Sequence, residues 1–448
     1  MLSAAALLVY ASAAVALNNG VAKLPVLGFN TWNAYHCDIS QELVLQQAQY
    51  MKTLGLLDAG YTQFNLDDCW GVKTRSSSGE IQYNTTLFPD MNNYTATLNS
   101  MGLCVDFTPF RTHVICPDRF TVRSAAKPYS DSGWQTCAGY VGSFDHEDQD
   151  AASFQSWGFD YLKYDNCAIP FDDVVQQNVL GKYQRMQYAL ERVANSTGTT
   201  FVYSLCEWGW SQVWLWGASV AHSWRIDGDI APYWSSLTSI IDQLSFINFG
   251  SQFYGHNDMD ILEIGNGNLT YDESKTHFTV WAFAKSPLLI SADLSTISQE
   301  NVDILKNSEI LAISQDNVYG QSVSPFRWGI NPDWITNATY PAQYWSLPSE
   351  NGTVIMLINT LDEPADMFFN LTESPWLRAG IQYNVRDLWS HTDNGTAVRN
   401  YTAAGVPSHG VAALLLTEAG PEPQGLFPPC AGEDLSSCMA ENGTSYAQ

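Results

Sequence analysis

The residues best able to do chemistry in this chain lie in one stretch, Phe159-Asp160-Tyr161-Leu162-Lys163-Tyr164-Asp165-Asn166-Cys167. Its opening alternation reads as a short buried strand. Lys163, Asp165 and Cys167 then fall on every second residue, so in a strand they share one face. A strand with a salt-bridged rim fits that spacing, and so does the floor of a reactive site. Lys163, two residues from Asp165, favours an ionised carboxylate, the state a nucleophile needs. Asp227, Asp229 and Glu207, each just past another strand-like run, are the candidates for a partner acid. Two carboxylates in unlike surroundings, with aromatic neighbours and no metal motif, suit cleavage of a glycosidic bond.

The elements that must position these groups alternate from Leu27 to about Gln321. Strand-like runs at 28–33, 61–66, 201–205, 223–226 and 288–291 are separated by helical stretches at 40–56, 151–157, 174–195 and 271–285. Ser40 caps the first helix, with Glu42 at its dipole-favoured end. Leu180, Met186, Leu190 and Val193 share or adjoin one stripe of the third. About eight strand–helix units imply a (β/α)8 TIM barrel over residues 22–321. Acidic clusters (Asp67-Asp68, Asp165, Glu207, Asp227–Asp229, Asp258–Asp260) recur at C-terminal strand ends, where barrel sites form. From 322 to 420 short runs divided by Gly, Pro and Asn read as an antiparallel β-sandwich. Residues 421–448 read as an acidic Pro/Gly-rich tail.

Composition bounds the surroundings. Met1–Ala16 has an apolar core ending in Ala14-Val15-Ala16, which reads as a signal peptide cut after Ala16 and implies a secreted, extracellular protein. Ten Asn-x-Ser/Thr sequons, at Asn84, Asn93, Asn195, Asn268, Asn337, Asn351, Asn370, Asn394, Asn400 and Asn442, suggest a glycoprotein. A net charge of −26 argues against nucleic-acid or anionic-membrane partners and fits a neutral ligand. The 16 Trp and 22 Tyr offer faces for sugar rings, although a large aromatic core accounts for most of them. Nine cysteines leave at least one thiol unpaired, and their spacing fits no zinc site.

Six motifs occur in order: Gly28-Phe29-Asn30-Thr31-Trp32-Asn33, Leu66-Asp67-Asp68-Cys69-Trp70, Tyr161-Leu162-Lys163-Tyr164-Asp165-Asn166-Cys167, Cys206-Glu207-Trp208-Gly209, Trp224-Arg225-x-x-Gly228-Asp229-Ile230 and Asn257-Asp258-x-Asp260. The ordered set resembles the secreted α-galactosidases of glycoside hydrolase family 27, fungal branch, from Leu24 to about Ala419. The resemblance implies a retaining exo-hydrolase of terminal α-galactose in oligosaccharides, galactomannans or galactolipids, without cofactor or metal. Asp165 falls on the nucleophile and Asp229 on the acid/base. Trp32, Asp67, Asp68, Lys163, Cys206, Glu207, Trp208 and Arg225 fall on the galactose-binding set. Glu207, where N-acetylgalactosamine-removing relatives carry small residues, favours plain galactose. Disulfides Cys37–Cys69 and Cys137–Cys167 are implied, with Cys206 a free thiol beside the sugar; Cys430–Cys438 rests on proximity alone.

One departure stands out. The family's third strand should continue from Met101-Gly102-Leu103, but its pattern resumes only at Tyr129-Ser130-Asp131, and the basic stretch 104–128 intervenes. Either it is an insertion closed by Cys104 and Cys116, or it is unspliced or misassigned coding sequence; the cost of interrupting an interior strand favours the second. Tyr129 is the matching active-site tyrosine. Alternatives of the same fold are an α-N-acetylgalactosaminidase or a β-L-arabinopyranosidase, and a broken third strand would give an inactive carbohydrate-binding homologue. The expected partner is a galactose-containing glycan; the oligomeric state is not legible.

Overall fold

The computed structural model describes residues 17–103, 126–169, 173–329, 337–426, 439 and 442–444. The expected signal peptide, Cys104, Cys116, Cys430 and Cys438 lie outside the described residues. Strands β1 (Leu27–Asn30), β2 (Gln63–Asn65), β3 (Ala126–Lys127), β4 (Tyr129–Asp131), β5 (Tyr161–Asp165), β6 (Val202–Leu205), β7 (Ser223–Arg225), β8 (His256–Asp258) and β9 (Leu288–Ile290) form the wall of a parallel barrel. Around it run α1 (Trp32–Tyr35), α2 (Gln41–Thr53), α3 (Met91–Ser100), α4 (Glu147–Ser156), α5 (Asp173–Thr197), α6 (Trp234–Ile247), α7 (Tyr271–Phe283), α8 (Gln299–Leu305) and α9 (Ser308–Ser314).

The third barrel strand is divided between β3 and β4. Ala126 and Lys127 pair with Phe64 and Asn65 of β2, while Tyr129–Asp131 pairs with Lys163–Asp165 of β5. Pro128, which has no N–H to give a ladder, sits where the strand changes partner, and its carbonyl accepts the Lys163 amide at 3.2 Å. The wall therefore begins before Tyr129: the last residues of the 104–128 stretch already belong to it, because a parallel ladder asks only for backbone groups. Lys127 is buried against Asp160 in an ion pair. Between β8 and β9 the barrel is closed by Leu262, whose amide donates to the Leu289 carbonyl at 2.7 Å.

Local chemistry explains the helices. Ser40 accepts the Leu43 amide at the start of α2, and Val44, Gln47, Ala48 and Met51 bury its inner face. In α7, opened by a Thr270–Glu273 capping box, every residue from Phe278 to Phe283 is buried. A helix covered all round needs a second layer outside it. That layer is an eight-stranded antiparallel sheet running from β10 (Ser324–Arg327) to β17 (Val411–Pro421). Its tie to the barrel includes Arg386 on Glu309 at 2.7 Å and His409 stacked on Trp234 at 4.4 Å between centroids. Among the described residues no helix is long and apolar enough to cross a membrane.

Candidate active site

The strand ends converge on a cleft lined by Trp32, Asn33, Asp67, Asp68, Tyr129, Cys137, Lys163, Asp165, Cys206, Trp208, Arg225, Asp229, Asp260 and Ile261. Of the expected set, Trp32, Asp67, Asp68, Tyr129, Lys163, Asp165, Cys206, Trp208, Arg225 and Asp229 meet there. Glu207 does not. It is fully buried and neither carboxylate oxygen has a hydrogen-bond partner among the described residues. The chain leaves β6 at Leu205 and bends, with Trp208 at φ 59° and Gly209 at φ 80°, which puts Cys206 and Trp208 on the cleft and turns Glu207 into the protein.

Asp165 ends β5. The Tyr129 hydroxyl donates to its Oδ2 at 3.0 Å and the Asn166 amide to its Oδ1 at 2.9 Å. Burial raises its pKa to about 6, against the pull of Lys163 and these two donors. Burial and the surrounding carboxylates hold Tyr129 protonated, so it remains a donor. Lys163 reaches Asp67 Oδ2 at 2.9 Å, and Asn30 Nδ2 reaches the same oxygen at 2.7 Å. Asp68 accepts the amides of Cys69 and Ala138 at 2.7 and 2.9 Å, yet burial still raises its pKa. Cys37–Cys69 and Cys137–Cys167 are disulfides, which tie the loops after β2 and β5 to their neighbours, and Cys206 is free and buried. Burial pushes the Cys206 thiol well up, so it is no thiolate.

Arg225, at the end of β7, organises the opposite wall. Its guanidinium reaches Asp229 Oδ1 at 3.0 Å, Asp260 Oδ2 at 2.9 Å, the carbonyls of Asp227 and Gly228, and Cys206 Sγ at 3.6 Å. The neighbouring cleft walls take away part of the solvation of Asp229 although its side chain stays exposed, which works to raise it, but Arg225 and then Lys163 outweigh this and leave its pKa below the ordinary value. Asp227, a candidate acid in the sequence, instead accepts the Gly228 amide at 2.8 Å and lies off the cleft. Asp260, from the neighbouring strand end, is the buried partner of Arg225.

Sequence reasoning gave no role to Asn33, Cys137, Asp260 or Ile261 as lining residues, nor to Asp131. Asn33 and Asp260 stood inside quoted motifs, just beyond strand ends, which was the available signal. Asp131 ends β4, accepts the amides of Gly133 and Cys167 at 2.7 and 2.9 Å, and so orients the turn beneath Asp165. Asp131, Cys137, Asp165 and Cys167 are the described cluster with metal-donor atoms close together, but both sulfurs are spent in the disulfide.

The chain matches the family model for α-galactosidase A over residues 25–109 and 125–316, and that for the α-galactosidase C-terminal β-sandwich domain over 339–416. The first match skips 110–124, within the intervening stretch. The chain is 36% identical over 445 residues to a probable α-galactosidase B of Talaromyces emersonii, covering 89% of this chain and 93% of that one. It is also 36% identical over 455 residues to one of Penicillium simplicissimum, covering 93% and 98%. Among solved structures, α-galactosidase I from Mortierella vinacea superposes with TM-score 0.77 at 29% identity, covering 91% of this chain and all of that one. The Saccharomyces cerevisiae α-galactosidase with raffinose gives 0.76 at 27%, covering 90% and 99%. A β-L-arabinopyranosidase from Geobacillus stearothermophilus shares the fold, with TM-score 0.70 at 16% identity. With both domains matched and the cleft at the barrel's C-terminal strand ends, the chain belongs to the α-galactosidases of glycoside hydrolase family 27.

Proposed function

We propose that this α-galactosidase is secreted, acts on terminal non-reducing α-galactose and retains configuration, with Asp165 as nucleophile and Asp229 as acid/base. The observation that carries the reading is that both carboxyls line one cleft from different strand ends, each held by its own donors. In the first step an Asp165 oxygen forms a bond to the anomeric carbon while the bond to the leaving oxygen breaks and Asp229 supplies that oxygen's proton. In the second, Asp229 takes a proton from water as the water oxygen displaces Asp165 and frees galactose. Retention asks for carboxyls about 5–5.5 Å apart.

The free enzyme is not yet poised for this. Asp165 is raised towards the neutral form and Asp229 is held in the ionised one. The Asp229 side chain is 72% exposed, so a bound sugar would strip its water and raise its pKa. Arg225 retains Asp260 as a second anionic partner and can release Asp229 without becoming an unpaired buried charge. Substrate binding thus supplies the proton-holding state that the acid step needs. Asp67, Asp68 and Lys163 offer charge-assisted contacts to sugar hydroxyls, and Trp32 and Trp208 offer apolar faces.

Because Glu207 is not in the cleft, it supplies no argument for galactose over N-acetylgalactosamine; Cys206 and Trp208 occupy that wall. Hydrolysis of nitrophenyl α-galactoside by the purified protein, beside the α-N-acetylgalactosaminide and the β-L-arabinopyranoside, tests the reading. Asp165→Asn should lose turnover by ~10⁴-fold or more and still bind galactose. Undiminished turnover in that variant would overturn the assignment of the nucleophile.

A further inference from the structure

We propose that Trp210 is a platform on the rim of the cleft for the sugar unit to which the terminal galactose is linked. The proposal rests on the glycosidase reading above and deepens it.

The segment that carries Trp210 is sharply bent. Trp208, Ser211 and Gln212 hold φ of 59°, 55° and 53°, with Gly209 among them at 80°. An L-residue held in this region costs about 1 kcal/mol or more, and such residues gather at ligand sites where the surroundings over-determine them. The surroundings here do so. The Gly209 amide donates to the Arg225 carbonyl at 3.1 Å, the Trp210 amide to the Glu207 carbonyl at 3.2 Å, and the Trp216 indole to the Ser211 carbonyl at 3.1 Å. A Cβ at Gly209 would lie 2.4 Å from the Ile226 carbonyl, so only glycine lets the segment approach β7. Yet the residues so positioned are not core: Ser211 and Gln212 are exposed and Trp210 is 50% exposed.

What the bend achieves is placement. Trp208 lines the cleft, and Trp210 meets it edge to face, 5.7 Å between centroids and 74° between planes. Trp210 thus continues outward an apolar wall that begins inside. The carboxyls that would cleave the bond, Asp165 and Asp229, line this cleft, so a sugar joined to a galactose bound there lies towards its mouth. A pyranose presents a face of C–H groups, and covering that face with an exposed indole removes apolar surface from water on both sides.

The test is calorimetric and uses the Asp165→Asn protein, so that ligand is not consumed. Its ligands are galactose and a galactosyl-mannotriose. The parent should bind the oligosaccharide about tenfold more tightly, roughly what burying one sugar face on an indole supplies. Adding Trp210→Ala should remove this preference with galactose affinity unchanged, and Trp210→Phe should keep most of it. A preference that survives Trp210→Ala, one absent from the parent, or an equal loss for both ligands overturns the platform. Nitrophenyl α-galactoside hydrolysis by the protein with Asp165 intact reports separately on the glycosidase reading. Failure there alongside a Trp210-dependent preference would overturn the catalytic reading and leave the platform standing.

Discussion

Glu207 is a carboxyl with nowhere to put a charge. It is fully buried with no well-formed hydrogen bond to either oxygen among the described residues, and burial, only partly offset by Arg225, the nearby amides of Gly209 and Glu207 itself, and Lys182, raises its pKa from 4.5 to about 9. The folded protein therefore keeps this proton at neutral pH while the unfolded chain releases it. A folded-state value above the unfolded one contributes stability that is complete below about 4.5 and is lost as pH rises through about 9. Between pH 4.5 and 7 the loss is ~3 kcal/mol, at ~1.4 kcal/mol per pH unit. Glu207→Gln has no proton to release and escapes that loss. Its amide adds a buried donor without an acceptor, a cost of ~1–2 kcal/mol at every pH. The variant should thus be less stable than its parent at pH 4.5 and more stable at pH 7, a relative swing of ~3 kcal/mol. With an unfolding entropy of ~2.1 cal/mol/K per residue, that swing is ~3 °C in midpoint. Scanning calorimetry of both proteins at both pH values, at one scan rate, reads it, since every other titrating group is common to the pair. The same offset at both pH values would refute the reasoning. Activity on nitrophenyl α-galactoside should stay within about threefold, and a loss beyond about 100-fold would return Glu207 to the sugar-binding set.

Three further outcomes follow from the cleft and its wall. Asp229→Asn should lower kcat/KM, which reports the first step, about 10²–10⁴-fold with a sugar leaving group and less with nitrophenolate, which needs no proton; equal losses of kcat/KM on both would remove Asp229 from the acid role. In the free enzyme kcat/KM should fall as pH drops below about 6, because protonated Asp165 cannot attack; a pH–rate profile whose acid limb lies under 4.5 would contradict this. Lys127→Met leaves a buried partner, Asp160, with its main cation removed, and should cost ~3–5 kcal/mol in thermal or denaturant unfolding. An unchanged midpoint would take Lys127 out of the barrel wall.

The strand ends were legible because their signal is local. Alternation along Tyr161–Asp165 and the capping residues at Ser40 and Thr270 act within a few residues, so the chain alone announces strands, helix starts and the side of the sheet on which Lys163 and Asp165 emerge. Motif order carried the family, and with it the convergence of Asp67, Asp68, Asp165, Arg225 and Asp229. Partners in space were another matter. The turn after β7 spends Asp227 on its own backbone, and Asp260, from the neighbouring strand end, takes the Arg225 guanidinium, a pairing that no spacing along the chain announces. Whether Ala126-Lys127 completes a wall depends on a ladder to β2, more than sixty residues earlier in the chain. Glu207 lies between two cleft residues, and only the bend at Trp208 and Gly209 decides that its carboxyl turns inward, where lost solvation sets its proton. Sequence determines which groups are available and on which side of a strand they leave. Burial and charge pairing, which set whether those groups are ionised, arise only when distant segments pack.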